Sequence, residues 1–123
     1  MAMKALKWIG RSREDLRRFP EEARRSIGYA LQFAQEGTKH PAAKPLQGFG
    51  GAGVLEIVED HAGDTYRAVY TVCFEKAVYV LHAFKKKSKS GSKTPKKEID
   101  LIRDRLHRAE EEHRLSRQRA SGG

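Results

Sequence analysis

The sequence predicts an α+β domain in which two N-terminal helices pack on a mostly antiparallel four-stranded sheet and a C-terminal helix follows. Three observations carry this expectation. Two helical patterns stand in series after a short apolar run, three strand-like runs then follow with links too short for crossovers, and a Thr-Pro pair opens a last helical pattern. A chain of 123 residues with 38% apolar side chains suits one domain with one modest core, expected over residues 1–115, with 116–123 as a disordered tail.

Lys4 to Ile9, apolar and basic, is the expected first strand. Ser12 followed by Asp15 resembles a capping box, so RSREDLRRF is expected to form a short helix ended by Pro20. Pro20, Glu21 and Glu22 open a second helix, which Gly37 closes; Ala23, Ile27, Ala30, Leu31 and Ala34 share one side of it and should lie on the sheet. Gly37 to Gly53 reads as a long loop. Its GFGGAG matches the glycine pattern of dinucleotide sites, but that site needs a strand before and a helix after, whereas a loop precedes and VLEIV follows, so no cofactor is expected. The strands Val54 to Val58, Tyr66 to Cys73 and Ala77 to Phe84, joined by EDHAGD and FEK, form an antiparallel meander. Thr94 and Pro95 supply the cap and first position of the last helix, whose seam is Ile99, Ile102, Leu106 and Ala109. With the helices on one side, the sheet should stay partly open on the other.

Charge is distributed unevenly. The net charge of +9 divides into +2 for residues 1–84, +7 for 85–97 and zero for 98–123. Mixed-sign stretches such as RDRLHRAEEEHR are expected to be solvated helix faces, whereas KKKSKSGSKTPKK is unbalanced and suits phosphate, with a merely solvated loop as the bland alternative. Cys73 is the sole cysteine, which excludes an internal disulfide and a cysteine-rich metal site; within TVCF it reads as a packed strand residue. No apolar run reaches the roughly 18 residues of a membrane span and the N-terminus lacks signal-peptide order, so a cytoplasmic location without membrane contact is expected.

The segments AKPLQGFG, TYRAVYTV and VYVLHAFKKKSKSGSKTPKKEI, in that order after two helices, resemble the RelE-like toxins of bacterial toxin–antitoxin pairs, in particular the phage-derived branch related to HigB. The resemblance runs from Met3 to about Ala109, with LHAFKKKS and KTP as its most specific part; the YRAVY strand belongs to the wider RelE and ParE superfamily. It implies a type II toxin that enters the ribosome, cleaves mRNA without a metal, and is held inactive by a helix-turn-helix antitoxin. A gyrase-inhibiting ParE-like toxin and a noncatalytic RNA-binding module are the alternatives.

Such cleavage has a 2′-hydroxyl attack the adjacent phosphate, which requires a base, an acid for the leaving oxygen and cations around the growing charge. Arg67, His82, Lys85 and Lys44 are the catalytic candidates. An arginine inside a strand must reach water or meet an anion; the resemblance places Arg67 at the scissile phosphate, and an ion pair with Glu56 on the adjoining strand is the competing account. His82 is either a titrating group or a hydrogen-bonded structural histidine. Lys85, by resemblance, stabilises transition-state charge, and Lys44 matches a basic position before the meander. Phe84 is placed either to stack an RNA base or to fill the core. Lys86, Lys87, Lys89 and Lys93 are expected to hold phosphates. Tyr70 points opposite to Arg67, into the core. His40, His61, His107 and His113 show no catalytic or metal-binding spacing and are read as surface residues. RelE and HigB carry further catalytic side chains near their C-termini, where this chain has the lysine run and a long helix, so the general acid and base stay unassigned.

Overall fold

The computed structural model describes residues 3–51, 53–86 and 94–122. In chain order its elements are β1 (Ala5–Trp8), α1 (Ser12–Arg17), α2 (Glu21–Gln35), β2 (Lys44–Pro45), β3 (Val54–His61), β4 (Asp64–Thr71), β5 (Ala77–Lys86) and α3 (Lys96–Gly122). The strands form one sheet in the order β1-β5-β4-β3-β2, with β1 parallel to β5 and the other pairs antiparallel. The sheet therefore has five strands, not four. The extra one is the two-residue pairing of Lys44 and Pro45 with Glu56 and Leu55, inside the stretch read as loop. Proline cannot donate to a ladder, which suits it to an edge strand of this kind.

β3 and β5 are longer than their expected runs, and β4 is shifted two residues toward its N-terminus. β3 and β4 pair without a break from Val54↔Thr71 to His61↔Asp64, leaving only Ala62 and Gly63 in the turn, both at positive φ (52° and 85°). Backbone pairing thus recruits the polar residues that flank the β3–β4 turn and the two lysines that end β5.

Helices cover both faces. On one, Leu16, Phe19, Ala23, Ile27 and Leu31 from α1, α2 and the link between them bury Ile57, Ala68, Tyr70, Val78 and Val80. On the other, Ile102, Leu106 and Ala109 of α3 bury Val54, Val69, Tyr79 and Leu81. The partly open second face expected from the sequence is thus occupied by α3. The cause is visible in β4 and β5, where Thr65–Thr71 and Ala77–Ala83 are buried without alternation, as strands covered on both sides must be.

Three local expectations change. Ser12 is the first helical residue of α1 and does not cap it; its buried hydroxyl donates to the Val80 carbonyl at 3.0 Å, docking α1 on β5. β4 ends at Thr71, whose hydroxyl accepts the Tyr79 N–H, so Cys73 lies exposed in the following connection instead of packing in the strand. The tail expected to be disordered continues α3 to Gly122, since nothing before Ser121 interrupts a run of helix-forming residues. The Gly48–Gly51 segment folds back on α3: Phe49 is buried beneath the Arg103 guanidinium, 4.7 Å from its ring, and Arg103 donates to the Gly48 carbonyl. Its glycines thus serve a turn, and the strand β3 follows directly.

Candidate active site

The site depends on an irregularity in the β4–β5 ladder. Tyr70 pairs with Val80 while Val69 pairs with His82, so the register shifts by one residue at Leu81. Such a bulge re-aims the side chains beyond it. Leu81 packs into the α3-side core and His82, the next residue, also turns to α3. Beyond it Ala83 faces α1 and α2, and Phe84 lies opposite Arg67.

His82 is almost wholly buried and engaged at both ring nitrogens. Nε2 lies 3.3 Å from Glu98 Oε1 and Nδ1 lies 3.3 Å from Arg105 Nη1, an atom that also donates to the Leu81 carbonyl at 2.9 Å. Burial lowers the imidazole pKa below its ordinary value; Glu98 opposes that shift and Arg105 adds to it. The Arg105 guanidinium is itself confined, because a Cβ on Gly10 would sit only 2.9 Å from it. One face of His82 stacks on Phe84, with centroids 4.9 Å apart and planes at 21°.

Two clefts involve the residues of interest, one beside α1 and one at the start of α3. The first, of about 390 Å³, is lined by Asp15, Arg18, Phe19, Tyr66, His82, Ala83, Phe84 and Lys85. Here Lys85 is half-exposed and 3.6 Å from Asp64. The second, of about 600 Å³, runs along Lys44, Leu46, Gln47, Glu56, Thr94 and Lys96. Between the two, Arg67 is completely excluded from solvent. Its Nη1 lies 3.6 Å from Glu56 Oε2 and donates to the Thr94 hydroxyl at 3.1 Å; Thr94 in turn donates to Glu56 at 3.3 Å. Any contact between Arg67 and a phosphate would require this arrangement to open.

Of the residues singled out from the sequence, His82, Phe84 and Lys85 come together on the first cleft. Lys44 belongs to the second cleft and Arg67 to the buried layer between them. Lys86 ends β5, and Lys87, Lys89 and Lys93 lie outside the described residues. Tyr70 is fully buried on the α1–α2 side, and burial pushes its hydroxyl pKa up to about 12. His113 is not a surface residue: four positions after Ala109 it continues the α3 seam, buried against Phe74 and Tyr79. Glu98 and Arg105 were missed. They stand seven residues apart, two helical turns, which places both on the sheet-facing side of α3; that spacing was the available signal, although Arg105 falls in the RDRLHRAEEEHR stretch read as a solvated face.

The architecture is an α+β sheet with helices on both faces and a cleft beside the C-terminal end of its longest strand. The chain belongs to the phage-derived Gp49-like protein family (DUF891), which matches residues 14–107. Among solved structures it is similar to a doubly substituted RelE toxin of E. coli in the free state, at 20% identity and a TM-score of 0.53, over 88% of this chain and 98% of that one. It also matches a chain of the RelBE2 toxin–antitoxin complex of Mycobacterium tuberculosis, at 21% identity and a TM-score of 0.39, over 72% and 97%. No curated protein matches the chain significantly. The RelE-like fold and the phage-derived family expected from AKPLQGFG, TYRAVYTV and LHAFKKKS are therefore the ones found. Among the described residues, no helix is long and apolar enough to cross a membrane.

Proposed function

We propose that the chain is the toxin of a type II toxin–antitoxin pair related to HigB, acting in the cytoplasm as a ribosome-dependent mRNA endonuclease that cleaves by metal-free 2′-hydroxyl attack. The observation that carries this reading is the convergence of His82, Phe84 and Lys85 on one cleft, at the point where β5 enters the segment of +7 net charge. Arg18 adds a further cation to the lining, which also holds Asp15. A site of this composition offers proton-transfer groups, an aromatic surface for an unstacked base and cations for a phosphorane-like transition state. In this reading Lys85 stabilises the developing charge, Phe84 stacks a base on the ring face that His82 leaves open, and Lys86, Lys87, Lys89 and Lys93 hold the flanking phosphates. Lys44 guides the strand through the second cleft, and Arg67 supports the site from beneath through Glu56 and Thr94. The partner is a small helix-turn-helix antitoxin, as the toxin–antitoxin pair among the structural matches suggests.

The burial of Arg67 favours a second reading, a noncatalytic RNA-binding module, because the arginine suited to a scissile phosphate is held away from solvent. A ParE-like gyrase inhibitor would share the fold but gives no reason for the lysine run. Cleavage of ribosome-bound mRNA in a purified translation mixture separates the three: defined cuts are expected, whereas binding without cuts supports the module and inhibited gyrase supports the ParE-like toxin. Expression alone should arrest growth, and co-expression of the neighbouring antitoxin should restore it; normal growth during verified soluble expression would count against any toxin.

A further inference from the structure

Cleavage through a 2′-hydroxyl needs a group that takes its proton, and most of the lining of the first cleft has no lone pair to offer. Arginine has only N–H donors, so His82 Nδ1, facing Arg105 Nη1 at 3.3 Å, is the accepting nitrogen, and the ring hydrogen sits on Nε2, directed at Glu98 Oε1 at 3.3 Å. Neither nitrogen is left for a substrate. The ammonium of Lys85 and the guanidinium of Arg18 are donors only, and the phenol of Tyr66 is too weak a base. Asp15 remains, the one carboxylate among the described residues that line this cleft. Its placement follows from α1, which the Ser12 hydroxyl docks on β5 through the Val80 carbonyl. The turn continues beyond that helix, with the Arg18 N–H bonded to the Asp15 carbonyl and the Phe19 N–H to that of Leu16, so Asp15, Arg18 and Phe19 stand on the cleft together. Burial lowers the pKa of His82 and of Arg105 and the Asp15 charge opposes both shifts, so the carboxylate is within electrostatic reach of the His82 side of the cleft. The Asp15 side chain is half-buried, yet it takes no hydrogen bond or ion pair among the described residues. A partly shielded carboxylate with a purely structural role is ordinarily paired; this one keeps its acceptor positions for what enters the cleft.

We propose that Asp15 is the general base of the endonuclease site, on the same cleft as the cations of Arg18 and Lys85. This rests on the reading of the chain as an endonuclease. In the step, an Asp15 oxygen takes the proton of the attacking 2′-hydroxyl while the 2′-oxygen forms its bond to phosphorus. The bond from phosphorus to the 5′-oxygen breaks, its electron pair stays on that oxygen, and a proton from solvent completes the 5′-hydroxyl. The products are a 2′,3′-cyclic phosphate and a 5′-hydroxyl end, and Asp15 returns its proton to water. A negative charge beside an anionic strand opposes binding. The carboxylate is therefore useful to this site in the reaction and not in the affinity for RNA.

Single-turnover cleavage of ribosome-bound mRNA by purified variants tests the assignment. Asp15→Asn keeps the shape of the side chain without its basicity, and should lower the rate at least about a hundredfold, the ordinary range for loss of a general base. Affinity for the ribosome–mRNA complex should be unchanged or higher, because a repulsive charge is gone, so the loss falls on the rate and not on binding. A short mRNA with sulfur in place of the scissile 5′-oxygen separates base from acid, since a thiolate leaves without a proton. The Asp15→Asn defect should be as large on this substrate as on ordinary mRNA. Asp15→Ser, which also lacks a basic group, gives the same comparison should Asp15→Asn fail to fold. A folded variant that loses less than about a hundredfold, a loss carried by weaker binding, or recovery of the rate on the sulfur substrate overturns the role of Asp15 alone. No cleavage by the wild-type chain overturns the endonuclease reading, and the role of Asp15 with it.

Discussion

Arg67 on β4 and Glu56 on β3 form an ion pair beneath the start of α3, with Nη1 and Oε2 3.6 Å apart and Thr94 bonded to both. The guanidinium is wholly buried while the carboxylate borders the second cleft. Removing one member of a buried pair leaves the other charge uncompensated, at a cost of about 3–5 kcal/mol. Arg67→Ala should therefore lower the melting temperature by roughly 10 °C or more, and lose activity together with stability. Arg67→Lys should recover part of both. Thermal unfolding followed by circular dichroism checks this; an inactive Arg67→Ala protein as stable as wild type would instead place the guanidinium at the phosphate.

Replacing Lys86, Lys87, Lys89 and Lys93 together with alanine should weaken RNA binding and leave the melting temperature nearly unchanged. Each lost phosphate contact should reduce the slope of log affinity against log salt by about 0.7 for a single strand. Binding titrations over a range of salt concentrations measure it, and an unaltered slope would make the lysine run a bystander.

His113 brings acid sensitivity. Its ring is buried against Phe74 and Tyr79, and neither nitrogen has a hydrogen-bond partner among the described residues. Burial, with Arg117 and Lys7 nearby, lowers its pKa in the folded state. The unfolded chain, with an ordinary imidazole near about 6.5, then binds the proton first. Stability is thus full above that value and declines as the pH falls below it. His82 is shifted in the same direction. Melting temperature should fall by several degrees between about pH 7.5 and pH 5.5, and His113→Phe should reduce that fall without removing the His82 contribution; equal slopes for both proteins would exclude His113 as a source.

Gly53 and Gly51 separate backbone strain from contact. Both have positive φ, at 79° and 76°, but a Cβ on Gly53 would lie 2.7 Å from Cys73 Cβ whereas one on Gly51 meets nothing within 4 Å. Gly51→Ala should cost about 1–2 kcal/mol, the penalty of an L-residue in that region, and Gly53→Ala distinctly more, because β3 and the β4–β5 connection must separate. Chemical denaturation of the two variants gives the comparison.

What the sequence by itself determined was local. The apolar side of α2, the three meander strands, the seam of α3 and the inward position of Tyr70 follow from spacing and from residues that break or start elements, since periodicity reports which side of an element is dry. The family was legible for the same reason, in short stretches such as YRAVY and LHAFKK that lie on those elements. The tertiary structure alone decided which element covers which face. An unalternating strand is dry on both sides, but nothing in its sequence names its cover, so the docking of α3 on the second face and the burial of His113 emerged only with the fold. The site was legible in part: His82, Phe84 and Lys85 are close along one strand and meet on one cleft, but the one-residue shift at Leu81 turned His82 to Glu98 and Arg105 on a distant helix. Arg67 shows the same division. That a buried arginine needs an anion follows from its charge, whereas the choice between Glu56 and a phosphate depends on which oxygen the packed strands bring within reach.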